Sequence, residues 1–428
     1  MKALKNRKSE SFEANSIMLF ALMMIANICN YLFQIIIGHM VQIEQYAQIN
    51  AIVSLVGILS IPTTIITMIS ARYIALNSAG NNDESVNEII KVMLKFAIII
   101  GIVIACIILL FLNNISTLFK LDSKHYVLGT LIITIVNLCF SITAGTLQGM
   151  KSFFQYGMQT ILVAAGKLFF SVFLIWAGWK VYGVIFAILI GTGIATCYGV
   201  YYVKKTVSEE KESSEKSSVD IQEFMRYSIG TIVAQGCVIA LTNGDVLLVK
   251  AYFTDTEAGL YSSAAVIGKI AMYVSTAIVA TLFPLVVEKY QKGESTQGLL
   301  KKAMLYGGGV AIFCAIGMIT LGRFVIGVLF GERYLQAIEM LPPVCIYVVA
   351  LTFITILMNY LLAIDKIKMF GSVMVIAVAL IVGGSELFHE SVMQVMIMAG
   401  SMLFVAFGVN VVYLVYIKRK STLKEKRE

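Results

Sequence analysis

Twelve apolar runs, each long enough to cross a bilayer as a helix, decide what this 428-residue chain can fold into. A membrane-spanning helix needs roughly 20 mostly apolar residues. Such runs lie at about 17–38, 48–74, 89–113, 126–149, 157–178 and 182–203, then at about 226–249, 263–287, 303–329, 338–364, 369–388 and 391–417. One hydrophilic stretch, Lys204–Glu223 (KKTVSEEKESSEKSSVDIQE), separates the two sets. With 59% hydrophobic and 14% charged residues, the chain lacks the charged surface that a water-soluble protein of this length needs over its core. The prediction is an all-α integral membrane protein of about twelve transmembrane helices in two six-helix bundles, 17–203 and 226–417. A cytoplasmic tail at 1–16, a linker at 204–225 and a second tail at 418–428 complete the division. The linker is too polar to bury a core and reads as flexible, with a short interfacial helix expected over 219–227.

Basic residues set the orientation, because cytoplasmic loops are enriched in them. With the N-terminus inside, cytoplasmic segments hold 25 of the 33 Lys and Arg, and external loops hold six: Lys120, Lys124, Lys180, Lys250, Arg323 and Arg333. Lys167 and Lys269 lie within spans. The bias predicts two cytoplasmic termini and an even span number, so the net charge of +8 reports topology and gives no sign of nucleic-acid binding. Trp176 and Trp179 at one end of the fifth span, and Tyr198, Tyr201 and Tyr202 at the inner end of the sixth, sit where an aromatic belt belongs. The first run is too long for the apolar core of a signal peptide and no small-residue cleavage site follows it, so it is expected to stay as a span. All seven cysteines fall in apolar runs without a CxxC or Cys/His grouping, which favours small buried hydrophobes over disulfides or metal ligands.

Landmarks recur at a nearly constant spacing. Tyr46-Ala47-Gln48-Ile49 resembles Ala258-Gly259-Leu260-Tyr261, Leu118-Phe119 matches Leu329-Phe330, and Gly157 matches Gly371, with offsets near half the chain length. An internal duplication of six spans gives two halves of like orientation, related by an axis along the membrane normal. Two such bundles are expected to enclose a cavity at their interface and to alternate its access by rocking, which argues for a transporter without naming its cargo.

Ionisable groups inside spans are costly and by default mark function or a structural pair. Lys167 stands about ten residues into the fifth span, beyond easy reach of either interface, and is predicted to be a cavity-facing cation. Asp245 and Lys269 lie at similar depth on consecutive antiparallel spans, so they can pair with one another or face a ligand. Arg72, at the inner end of the second span, can meet an anionic ligand or sit among headgroups. Asn27, Asn30 and Gln34 in the first span, Gln235 and Asn243 in the seventh and Asn359 in the tenth can contact substrate or join helices. The spans carry no chain of Asp, Glu and His of the kind that relays protons; Glu386 is the one further acidic candidate. His39, His125 and His389 stand apart without metal-ligand spacing, and no catalytic or nucleotide-binding fingerprint sits in the context it needs. No cofactor and no enzymatic activity are expected.

Several segments resemble the oligosaccharide flippase, or polysaccharide biosynthesis export, family of the MOP superfamily. They are Gly244–Ile270 (GDVLLVKAYFTDTEAGLYSSAAVIGKI), Leu329–Leu341 (LFGERYLQAIEML), Thr146–Gly157 (TLQGMKSFFQYG) and Ile69–Ala75 (ISARYIA). The first external loop, GHMVQIEQYA, departs from the family pattern in lacking a Leu-Gly-Pro before its Glu. The resemblance implies a MATE-like fold in a bacterial cytoplasmic membrane, flipping undecaprenyl-diphosphate-linked oligosaccharides alongside the glycosyltransferases and polymerase of a pathway. A cation such as Lys167 would then hold the pyrophosphate. A cation-coupled multidrug exporter shares the fold, but the first span here offers no carboxylate and leaves that reading to Asp245. A membrane-embedded polymerase or transferase calls for a long external loop or paired external acids, and the sequence has neither.

Overall fold

The computed structural model describes the backbone of residues 2–78, 83–208 and 221–425, and side chains over 18–75, 86–206, 229–275 and 285–416. Among the described residues there is no strand. Ten helices are long and apolar enough to cross a membrane, or eleven if one bent pair forms a single span. The predicted eighth span is not in that count, because its helix runs through 276–284, outside the described side chains. Most of the predicted linker lies outside the described residues as well.

The chain divides into two compact units, Met1–Phe224 and Met225–Glu428. The first holds α1 (Lys2–Met40), α2 (Ile43–Leu59), α3 (Ile61–Ser78), α4 (Asp83–Leu110), α5 (Leu112–Leu118), α6 (Lys124–Gly149), α7 (Phe153–Trp176) and α8 (Lys180–Ser208). The second holds α9 (Ile221–Tyr252), α10 (Asp255–Gln291), α11 (Gln297–Ala303), α12 (Gly309–Thr320), α13 (Gly322–Phe330), α14 (Leu341–Ala363), α15 (Ile367–Leu387) and α16 (Val392–Glu425). A π-helical turn over 304–308 joins α11 to α12, and a 3₁₀ segment over 332–340 leads into α14. The interfacial helix expected over 219–227 is no separate element, since α9 runs unbroken from Ile221.

Large apolar side chains cover the outside, where a soluble protein would put charge. Ile98, Ile99 and Ile102 on α4, Phe169 and Phe173 on α7, Phe313 on α12 and Val405 and Val412 on α16 are all exposed. An apolar surface this extensive is what a helix bundle turns toward lipid.

The second span, read as one run over 48–74, is instead broken. α2 and α3 meet at Ser60 with a 41° bend. Pro62 has no N–H to offer the carbonyl one turn back, which is a common cause of a kink. Hydroxyls at the bend bond neighbouring carbonyls: Ser60 Oγ donates to Gly57 O at 2.6 Å, and Thr63 Oγ1 donates to Ser60 O at 2.6 Å.

Small residues set the helix crossings, because in lipid close backbone packing replaces much of the hydrophobic drive. Gly166 on α7 and Gly191 on α8 face one another so closely that a Cβ on Gly191 would stand 2.8 Å from the Lys167 backbone nitrogen. The duplication is visible inside each unit taken separately. Gln42 and Gln45 open α2 with a reach-back bond that Thr254 and Glu257 repeat at the start of α10, each residue 212 positions later. Gly157 of α7 abuts Leu22 of α1, and Gly371 of α15 abuts Gly230, Val233 and Ala234 of α9 in the same way.

Candidate functional site

Lys167 lies nine residues before the end of α7, about 14 Å along the axis at 1.5 Å per residue. Its ammonium donates to Asn30 Oδ1 on α1 at 2.6 Å and sits 4.3 Å from the centroid of the Phe33 ring. Asn30 and Phe33 are three residues apart on one helix face, so amide and ring act together. Phe33 is fully buried, which fixes the ring as a platform for the cation. Among the described residues no carboxylate forms an ion pair with Lys167. The side chain is only half-buried. An ammonium has three donors and Asn30 takes one, so a cation without a carboxylate stays available on this face.

The second unit treats Lys269, the lysine within its span, differently. Lys269 of α10 donates to Thr242 O at 2.7 Å and contacts both oxygens of Asp245 on α9, at 3.0 Å to Oδ1 and 2.9 Å to Oδ2. Asp245 is 2% exposed. The hydroxyl of Tyr261 on α10 donates to Asp245 Oδ2 at 3.1 Å and stands 3.0 Å from Met396 Sδ on α16. On the neighbouring turn Tyr347 of α14 donates to Leu241 O at 2.6 Å. Asp245 and Lys269 thus form an ion pair in the structure. Its charges cancel, and residues of α9 and α10 hold it.

The remaining candidates are scattered. Gln34 accepts from the Tyr46 hydroxyl at 3.2 Å, across the junction of α1 and α2. Asn243 and Asn359 donate to carbonyls one turn back on their own helices, Ile239 O and Thr355 O, both at 2.9 Å. Gln235 is half-buried on α9, Asn27 is exposed on α1 and Arg72 is exposed on α3. Within unit 1, Lys167 and Asn30 are the candidates the fold joins directly; within unit 2, Asp245 and Lys269 are.

Phe33, Tyr261 and the Thr242 carbonyl escaped the sequence reading. Tyr261 had a signal, since it stands in the same segment as Asp245 at the turn that opens α10. Phe33 had only its one-turn distance from Asn30. Lys250 was placed in an external loop, yet it is fully buried in the last turn of α9 and pairs with Asp255, the first residue of α10. The opposite charges flanking a two-residue loop were the available clue.

Residues 12–289, about two thirds of the chain, match the family described as polysaccharide biosynthesis protein. The chain belongs to that family. Solved structures agree on the fold of this polysaccharide biosynthesis family member. An inward-facing multidrug resistance MATE transporter of the MOP superfamily is similar with a TM-score of 0.72 at 14% identity, over 95% of this chain and 99% of that one. An outward-facing MATE transporter of the same superfamily is similar at 0.61 and 16% identity, over 96% and 95%. A MOP superfamily transporter from Pyrococcus furiosus, for which a binding pocket of reverse polarity suggests a different function, is similar at 0.60 and 16% identity, over 96% and 95%. No curated protein matches the chain in sequence. It is a multi-pass membrane protein of MATE-like fold, and family and fold together support a membrane transporter.

Proposed function

We propose that this protein flips undecaprenyl-diphosphate-linked oligosaccharide repeat units across the bacterial cytoplasmic membrane by alternating access, with both termini in the cytoplasm, for cell-surface polysaccharide synthesis. The observation that carries the reading is Lys167, an intramembrane ammonium held by Asn30 and Phe33 and balanced by no carboxylate among the described residues. A partly exposed charge at this depth belongs against water rather than hydrocarbon, because lipid would raise its cost by several kcal/mol. A lone cation suits an anionic headgroup, and a pyrophosphate supplies oxygen acceptors for its remaining donors. Family membership points the same way.

Asn30 and Phe33 aim the ammonium; Gln34, four residues beyond Asn30 on α1, is a candidate contact for sugar hydroxyls. Arg72, Gln235 and Asn243 remain candidates for further polar contact. Glycosyltransferases and the polymerase of the pathway are the expected partners. The cation-coupled exporter reading loses force, since Asp245, its best acidic candidate, already holds Lys269. The test is complementation of a flippase-deficient strain. The chain should restore surface polysaccharide and clear lipid-linked oligosaccharide from the inner leaflet. Continued accumulation in a strain that inserts the protein normally would overturn the proposal.

A further inference from the structure

The acceptors of Lys167 and Lys269 occupy matching places. Thr242 stands 212 positions after Asn30, the spacing that also relates the capping residues of α2 and α10; Asn30 accepts from Lys167 through its side-chain amide oxygen and Thr242 from Lys269 through its backbone carbonyl. Gln34 and Asp245, near counterparts on α1 and α9, each accept a tyrosine hydroxyl from the following helix. The lysines arrive from different helices, however, α7 in one unit and α10 in the other, and only the second meets a carboxylate.

Around Lys269 Nζ stand three oxygens, two from a carboxylate and one from a backbone carbonyl, at 2.7–3.0 Å. Carboxylate and carbonyl oxygens are the donor set of a hard cation. Tyr261 bonds the same carboxylate from another direction, so Asp245 keeps its aim when the ammonium is removed. Asp245 is almost fully buried and ion-paired with Lys269, and a buried carboxylate without a cation is strongly disfavoured. We infer that Asp245, Thr242 and Tyr261 form a monovalent-cation site in which the Lys269 ammonium is the resident cation, so that this site takes no ion from the medium while Lys269 is in place. The class of ligand it would accept on losing Lys269 is potassium or a primary alkylammonium. Both resemble the ammonium they replace more closely than the smaller sodium ion does. The readout is binding alone, so the inference stands or falls independently of the proposed cargo.

The experiment measures thermal unfolding of the purified full chain in detergent, at a pH well above the ordinary carboxylate range. Potassium, sodium and n-propylammonium chloride are compared with choline chloride at equal ionic strength. Propylammonium replaces the atoms removed by Lys269→Ala. For Lys269→Ala the midpoint should rise saturably with propylammonium and potassium, less with sodium, growing with ligand as mass action requires. The double variant Asp245→Asn/Lys269→Ala should show no such rise, and neither should the wild type nor Lys269→Arg. No rise in the single variant, or an equal rise in the double variant, overturns the inference. So does a potassium-specific rise in the wild type that Asp245→Asn removes. If Lys269→Ala fails to fold in choline, it should be recovered folded by purification in propylammonium or potassium. Failure of both to recover it also overturns the inference.

Discussion

The crossing of α7 and α8 offers a sharp test because it holds the backbone of Lys167 itself. In Gly191→Ala the new Cβ meets the Lys167 nitrogen at 2.8 Å, the Gly166 carbonyl carbon at 3.1 Å and the Val163 oxygen at 3.2 Å. Ordinary contact begins at 3.4 Å, so the helices must part by about 0.6 Å, and all three obstacles are backbone that cannot rotate aside. Overpacking of this kind costs about 1–3 kcal/mol. Gly193, two residues on, has nothing within 4 Å of an added Cβ and serves as control. Both substitutions gain the same helix propensity, roughly 1 kcal/mol for a glycine replaced by alanine. The difference between the two variants therefore isolates the clash. Thermal or denaturant unfolding in detergent should place Gly191→Ala about 1–3 kcal/mol below Gly193→Ala, with transport reduced only in the former. Equal stability of the two variants, with equal transport, would refute the packing argument.

Other consequences are as direct. Tyr261→Phe removes a hydroxyl bonded to a buried carboxylate and should cost about 1.5–3 kcal/mol of stability in the same unfolding assay; a neutral result would separate Tyr261 from the pair. Asp255→Ala takes its carboxylate from the fully buried Lys250, whereas Lys250→Met leaves behind an Asp255 side chain that is 28% exposed. The first should be the more damaging, toward the roughly 3–5 kcal/mol of a broken buried pair. Equal losses would contradict that burial. Thr254→Ala removes the acceptor for the Glu257 N–H at the start of α10 and should cost about 1 kcal/mol, read as a lower unfolding midpoint that Thr254→Ser restores.

Much of this architecture could be read from the residues, and the reasons are physical. Lipid requires long apolar helices, so the spans stand out by length; the polar break at 204–223 ends beside the boundary between the two compact units. Depth was also legible: Lys167, Asp245 and Lys269 drew attention because charge is rare where they sit. What the sequence withheld was partnership. Lys167 could be seen to lack an acid at its depth, but nothing in the chain said that Asn30, 137 residues away, would accept its hydrogen bond. Whether Asp245 and Lys269 touch depends on which faces of α9 and α10 meet, which their sequence positions do not fix. Lys250 was misplaced because a charge near a loop normally reaches water, and only the packing of the corner reveals that it turns inward. The broken second span was foreseeable from Pro62, whose missing N–H is as plain in the sequence as in the fold.

The central claim rests on one ammonium, so the most direct measurement is transport by Lys167 variants in reconstituted vesicles. Wild type, Lys167→Arg and Lys167→Ala would be compared on a fluorescent undecaprenyl-diphosphate oligosaccharide, at equal amounts of folded protein. Loss of flipping in Lys167→Ala with partial retention in Lys167→Arg, while both variants unfold near the wild-type midpoint, is the predicted result. Wild-type flipping by Lys167→Ala would contradict the account.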